Sequence, residues 1–324
     1  MANILVTGAA GFIGSHVCKA LQKRGHIAIG FDDLSRGHLK AVKFGPFTKG
    51  RLHEFDKLKN TLIEYDVEAV IHLAAFAYVE ESTRFPEIYF ENNINGTYWL
   101  LEAMSASNTR NIVFSSSCAV YGEALTDQIT EDHPTCPINP YGLSKLLCEK
   151  LIENQREIND FQTCSLRYFN VAGSDLEGEL GENHEPEPHI IPNFIIAAMQ
   201  GREFPIYGTD YPTHDGSCIR DYIHVWDLAL AHVLSVEGLL NRQKLNSIYN
   251  LGNNRGISVL ELVRFAEKNL NKEIRVKIER RRPGDPAKLI ASSHAFQQDT
   301  GWKAKHSDPE SLLSSTAHWL QKKS

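Results

Sequence analysis

Tyr141 and Lys145 stand four residues apart in Pro140-Tyr141-Gly142-Leu143-Ser144-Lys145. On a helix this spacing is about one turn, so both side chains share a face. An ammonium beside a phenol favours the phenolate and brings a tyrosine within reach of acid–base chemistry near neutral pH. The chain has 11 tyrosines, and only this one is followed by a lysine at the fourth place. Upstream, Ile112-Val113-Phe114 runs into Ser115-Ser116-Ser117. A hydroxyl at the carboxyl end of a buried strand is where open α/β sheets keep their reacting groups. A single serine there could equally cap the strand end. The ordered set of strand, serines and Tyr-x-x-x-Lys favours chemistry.

A second group of residues points to a ligand. Thr7-Gly8-Ala9-Ala10-Gly11-Phe12-Ile13-Gly14 follows a short apolar run and opens a helix-like segment. Glycines in that place let the backbone approach a pyrophosphate, and the helix N-terminus supplies free N–H groups and partial positive charge. The spacing is GxxGxxG. The next apolar run ends in Asp32-Asp33, where a carboxylate can accept both hydroxyls of an adenosine ribose and would repel a 2′-phosphate. The pattern therefore predicts NAD rather than NADP, although Arg36 nearby is a group that could hold a phosphate.

These residues need a frame to hold them. Ile4–Val6, Ile27–Phe31, Ala69–Leu73, Ile112–Phe114 and Cys164–Leu166 read as buried strands. Helix-length segments lie between them at 12–24, 57–66, 86–107 and 141–159. The alternation predicts α/β architecture: a doubly wound parallel sheet of Rossmann type, with helices on both faces. Regularity breaks after Asn170, where residues 173–192 are polar and rich in Pro and Gly. A helix-like stretch (193–200), a loop (207–217) and a further α/β mixture follow. The expected division is a nucleotide-binding domain over 1–170, to which 219–250 returns, and a smaller α/β substrate domain over 171–324.

Longer motifs carry a family resemblance. TGAAGFIGSH, Asp32, SSSxxVYG (115–122), YGLSK and Leu166-Arg167-Tyr168-Phe169-Asn170 resemble the extended short-chain dehydrogenase/reductases. Asn92-Asn93-Ile94-Asn95-Gly96-Thr97, the run Tyr207 to Gly216, Arg220-Asp221-Tyr222-Ile223-His224-Val225 and Tyr249-Asn250-Leu251-Gly252 resemble the UDP-glucose/UDP-galactose 4-epimerase branch. The resemblance spans residues 3 to about 302. It implies that Ser117 hydrogen-bonds the sugar O4, that Tyr141 is the acid/base, and that Lys145 tunes it and holds the nicotinamide ribose. Gly8, Gly11, Phe12, Ile13, Gly14, Asp32, Asp33, Asp56, Leu73, Ala74, Ala75, Asn92, Ser115 and Tyr168 match cofactor-contacting positions. Asn170, His189, Ile190, Tyr207, Arg220, Arg282, Asp285 and Leu289 match positions that hold the nucleotide-sugar. The implied reaction oxidises C4, rotates the 4-ketose and reduces it on the other face. NAD would then be regenerated each turn and stay bound. The family also implies a homodimer built from the helices at 86–107 and 141–159.

Departures from the pattern bear on activity. Related dehydratases typically carry an acidic pair just before VYG, where this chain has Cys118-Ala119, which argues strongly against dehydratase and decarboxylase activity. Leu73–Val79 resembles a form seen in UDP-xylose/UDP-arabinose 4-epimerases. Leu289 stands where residue size gates N-acetylated sugars, which keeps UDP-GlcNAc/UDP-GalNAc in view. The different-class alternative, an inactive NAD-binding interaction protein, would be expected to lack Tyr141 or Lys145.

Composition sets the outer bounds. The chain has 324 residues, a formal charge of −6, 42% hydrophobic and 23% charged residues, which suits about two globular domains. Mild acidity argues against non-specific nucleic-acid binding. No run approaches the ~18 apolar residues of a membrane span, and no secretory leader is read, so a cytoplasmic setting is expected. Six scattered cysteines without a CxxC fit reduced thiols. His184-Glu185-Pro186-Glu187-Pro188-His189 is read as a substrate loop with no metal, because the prolines exclude a helical ligand face.

Overall fold

Ile4 and Val6 face one side of β1 (Asn3–Thr7) and Leu5 faces the other, and all three are fully buried. That is the signature of a strand covered on both faces. The computed structural model describes residues 1–282 and 285–323. β2 (Ile27–Asp32), β3 (Phe47–Lys49), β4 (Ala69–His72), β5 (Asn111–Ser117), β6 (Gln162–Tyr168) and β10 (Ile248–Leu251) join β1 in a seven-stranded sheet of order β10-β6-β5-β4-β1-β2-β3. Every pairing in it is parallel. Strand order reverses between β1 and β4, and the crevice outside that switch point is where such sheets bind ligands.

Both faces are covered, as expected. α1 (Phe12–Lys23) and α8 (Val225–Leu240) pack with Ile4, Val6, Ile71 and Val113 on one side. α2 (Phe55–Glu64), α5 (Gly96–Ala106) and α6 (Pro140–Asn159) pack with Leu5, Ile29, Val70 and Ile112 on the other. Each such side chain contributes about 1.5–3 kcal/mol by leaving water.

The segment 86–107 is not one helix. α3 (Val79–Arg84) precedes α4 (Pro86–Tyr89), and a π-helical turn over Phe90–Asn95 leads into α5. Pro86 starts α4, and the turn is rich in asparagine, whose side chain competes for backbone groups. Here Asn93 Nδ2 donates to Phe76 O and Asn93 Oδ1 accepts from Phe76 N, so the side chain braces the loop after β4.

The remaining elements form a smaller α/β unit. β9 (Ile219–His224) pairs with β7 (Asn170–Ala172), β11 (Gly256–Ser258) and β13 (Lys288–Leu289), while β8 (Phe204–Tyr207) pairs with β12 (Val276–Glu279). α7 (Ile190–Gln200), α9 (Val259–Leu270) and α11 (Pro309–Lys323) pack over them through Phe194, Ile195, Leu262 and Leu312. The expected return of 219–250 needs correction. β9 stays with the smaller sheet, and the return begins at α8 and ends in β10. α10 (His294–Thr300) also packs against β10, seating Phe296, and Trp302 just beyond it, in the first core. Among the described residues no helix is long and apolar enough to cross a membrane.

Candidate active site

The glycine turn leaves β1 and enters α1. Gly8 has φ +73°, and a Cβ on it would lie 2.7 Å from Ala74 N. A Cβ on Gly14 would lie 2.0 Å from Gly8 O. Gly11 caps α1 without a side-chain hydrogen bond, which leaves the helix N-terminus open to an anion. Asp32 Oδ2 accepts from Ala10 N (3.1 Å) and its Oδ1 from Leu34 N (2.8 Å). It therefore braces the turn and keeps lone pairs for ribose hydroxyls. Burial raises its pKa. Arg36 is no free phosphate receptor. Its Nη2 donates to both oxygens of Glu81 (2.9 and 2.7 Å), and its guanidinium lies 4.0 Å from the Phe76 ring centroid. The turn, the acid and the engaged arginine together fit a dinucleotide without a 2′-phosphate.

Two expected cofactor contacts are corrected. Asp56 is exposed on the first turn of α2 and does not line the cleft; Leu52 and His53 do. Ser115 does not line it either: its hydroxyl is bonded to Tyr168 OH (2.5 Å), and its carbonyl accepts from Lys145 Nζ (2.7 Å). The other expected residues all border one continuous cleft of about 1350 Å³. That exceeds the ~300–1,000 Å³ typical of a single small-molecule site.

The reacting groups line this same cleft. Asn139 caps α6 by accepting from Gly142 N (2.8 Å), and Pro140 takes the first helical position. Tyr141 and Lys145 follow on one face, beside the end of β5. Burial pushes the Tyr141 phenol up, Tyr168 adds to this, and the Ser117 hydroxyl pulls the other way. Burial lowers Lys145 to about 8, with Cys148 and Glu149 opposing. The expected lowering of the phenol by Lys145 is outweighed here by desolvation, and Lys145 Nζ stands 6.0 Å from the Tyr141 ring centroid. The same dry setting strengthens any positive charge brought beside the phenol.

Also lining the cleft, Arg282 stacks on Tyr207 at 3.9 Å, and Arg220 Nη2 lies 3.3 Å from Asp285 Oδ1. Asn170, Ile190 and Leu289 line it too. The loop at 182–189 brings Glu182, His184, Glu187 and His189 donor atoms within 4.8 Å of one another, so its prolines do not keep them apart. His189 Nδ1 sits 2.6 Å from Glu182 Oε1 and 2.9 Å from Glu187 Oε1. Despite burial, these carboxylates raise His189 to about 10, so it faces the cleft as an imidazolium. Sequence reasoning missed both glutamates as its holders. It also missed the buried chain Thr7–His72–Thr97, in which Thr7 Oγ1 and His72 Nδ1 are 2.7 Å apart and His72 Nε2 and Thr97 Oγ1 2.9 Å. Thr7 Oγ1 also accepts from Leu73 N and Ala74 N (3.2 Å each), which fixes the loop under the cleft.

Sheet order, glycine turn and Tyr–Lys pair define a Rossmann-type dinucleotide protein with an acid–base centre. The NAD dependent epimerase/dehydratase family matches residues 4–252. UDP-glucose 4-epimerase of Halalkalibacterium halodurans is 43% identical over 98% of this chain and 95% of its own length. That of Rhizobium meliloti is 41% identical over 98% and 96%. Among solved structures, UDP-glucose 4-epimerase from Brucella ovis in complex with NAD superimposes with TM-score 0.95 at 42% identity, covering 98% of both chains. UDP-glucose-4-epimerase from Stenotrophomonas maltophila, with NAD and formylated UDP-arabinopyranose bound, gives TM-score 0.96 at 35% identity over 100% and 99%. The chain belongs to the NAD-dependent epimerase/dehydratase family.

Proposed function

We propose that this chain interconverts UDP-galactose and UDP-glucose by inverting the sugar C4. One observation carries the reading: Ser117, Tyr141 and Lys145 line the same single cleft as the glycine turn and as Arg220 and Arg282. NAD, when bound, would supply the hydride acceptor and donor that the oxidation and re-reduction at C4 require. Tyr141 removes the O4 proton and later restores it. Ser117 holds O4, and Lys145 supplies positive charge beneath the phenol and binds the nicotinamide ribose. Gly8, Gly11, Phe12, Ile13, Gly14, Asp32 and Asn92 hold the dinucleotide. Arg220, Arg282 and the His189 imidazolium meet the diphosphate, for which forked guanidinium donors are well shaped. Asp285 takes the uridine ribose. Elimination is disfavoured because Cys118-Ala119 follows Ser117: neither residue is a carboxylic acid, and burial pushes the Cys118 thiol up to about 12, leaving no thiolate base there near neutral pH.

Turnover with UDP-galactose, UDP-GlcNAc and UDP-arabinose tests this reading. UDP-galactose is the expected substrate, and no turnover of it would overturn the proposal. Leu289 is only half-buried in the cleft wall, so measurable UDP-GlcNAc turnover is the expected second activity.

The proposed assembly is a homodimer. Tyr98 (44%) and Trp99 (37%) on α5 and Leu143 and Leu147 (40% each) on α6 are exposed, and these helices are neighbours. Exposed apolar side chains gathered on adjacent helices suit a protein interface. Sedimentation should give twice the 36.5 kDa chain mass, and Leu147→Glu should shift it toward one chain. A parent protein of single-chain mass would refute this assembly. The cytoplasm is the proposed compartment, since all six cysteines are free thiols.

A further inference from the structure

Behind the reacting groups lies a buried polar network that contacts the cleft nowhere. Tyr141, Lys145 and Glu149 are spaced four apart and form one stripe along α6. Glu149 reaches β5 and β6 together. Ser116 Oγ donates to Glu149 Oε1 (2.5 Å), Arg167 Nε donates to the same oxygen (2.8 Å), and Arg167 Nη2 donates to Oε2 (2.6 Å). Ser116 and Arg167 are direct partners in the β5–β6 register. Arg167 Nη1 then donates to Tyr121 OH (3.0 Å), which donates to Asn250 Oδ1 (2.7 Å) on β10. The charged side chains are only 5% and 4% exposed.

Such a pair is poor at stabilising a fold. Taking both charges from water offsets most of their attraction, and well-packed apolar residues commonly do as well or better. A bidentate pair does supply direction, because the fork fixes both distance and angle. The fork ties α6 to β6, and Ser116, bonded to the same carboxylate, ties α6 to β5, the strand that ends in Ser117; Glu149 lies one turn beyond Lys145 on the same helical stripe. Ser116 lies between Ser115, whose carbonyl receives Lys145, and Ser117.

We infer that Glu149 and Arg167 are positioning residues: their fork on β6, together with the Ser116 hydroxyl on the same carboxylate, sets the Tyr141–Lys145 face of α6 against the Ser117 end of β5. The inference rests on the proposed roles of those three residues. Neither member touches substrate or cofactor. Displacements of about 1 Å at a reacting centre can cost ~100-fold in rate, so the fork acts on kcat rather than on binding.

The test uses the NAD-loaded enzyme with two changes. Glu149→Met/Arg167→Met removes both charges together and leaves neither unpaired. Ser116→Ala removes only the strand's link. Thermal midpoint, KM for UDP-galactose and kcat per NAD-loaded site are measured for each. The double variant should keep KM within about twofold and lose ~10–100-fold in kcat, and Ser116→Ala should lose ~3–10-fold. A merely structural network would lower the thermal midpoint and leave kcat per loaded site unchanged. Parent-level kcat in either folded variant overturns the inference. Its failure is distinct from that of the proposed chemistry, which is read separately from Tyr141→Phe.

Discussion

Replacing Tyr141 with phenylalanine lowers kcat for UDP-galactose by ~10²–10⁴-fold, the usual worth of one positioned acid–base group, and leaves NAD bound. The change removes one hydroxyl and keeps the ring. Tyr141 is 7% exposed and its ring packs edge-on against Tyr89 at 6.5 Å, so the cavity keeps its shape and KM moves little. Ser117 remains, but a serine hydroxyl tied to Ala119 N (3.2 Å) cannot take over as base. Lys145 remains too, with Nζ donating to Ser115 O and held away from the substrate. Steady-state rates with NAD content per chain check the result. Parent-level turnover by Tyr141→Phe would remove the phenol from the mechanism.

The parts legible from sequence were those with a local signature. Short β-branched runs marked the buried strands, and a four-residue spacing marked the Tyr141–Lys145 face. Glycines between strand and helix marked the turn. What escaped has its cause far away in the chain. His72 looks like any strand histidine until Thr7 and Thr97 close on its two ring nitrogens. Glu182 and Glu187 sit in a loop whose prolines suggested separation, and only the fold brings them to His189. Asn93 sits in a run of asparagines, with nothing local to say that it braces Phe76 while Asn92 faces the cleft. Asp56 was misplaced for the opposite reason. Its first-turn position is a good helix N-terminal signal, and that local role suffices to explain it.

Gly14→Ala should abolish NAD retention. At Gly25, Gly201 and Gly301 an added methyl meets nothing within 4 Å. At Gly14 it would meet Gly8 O at 2.0 Å and Gly8 C at 2.7 Å, both backbone atoms of the turn itself. The clash is relieved only by opening the turn, which moves the first N–H groups of α1 away from the pyrophosphate and strains the contact of Gly8 with Ala74. Overpacking of this kind costs about 1–3 kcal/mol of stability. The larger loss falls on the ligand, because every donor in the turn shifts together. Gly25→Ala is the matched control. Gly25 has φ +82° with nothing within 4 Å of an added Cβ, so only the left-handed backbone penalty of about 1–2 kcal/mol applies. Released NAD per chain and the thermal midpoint separate the two. Gly25→Ala lowers the midpoint and keeps its NAD, while Gly14→Ala loses both. Full NAD retention by Gly14→Ala would mean that the close approach of Gly14 to Gly8 is not what shapes the pyrophosphate site.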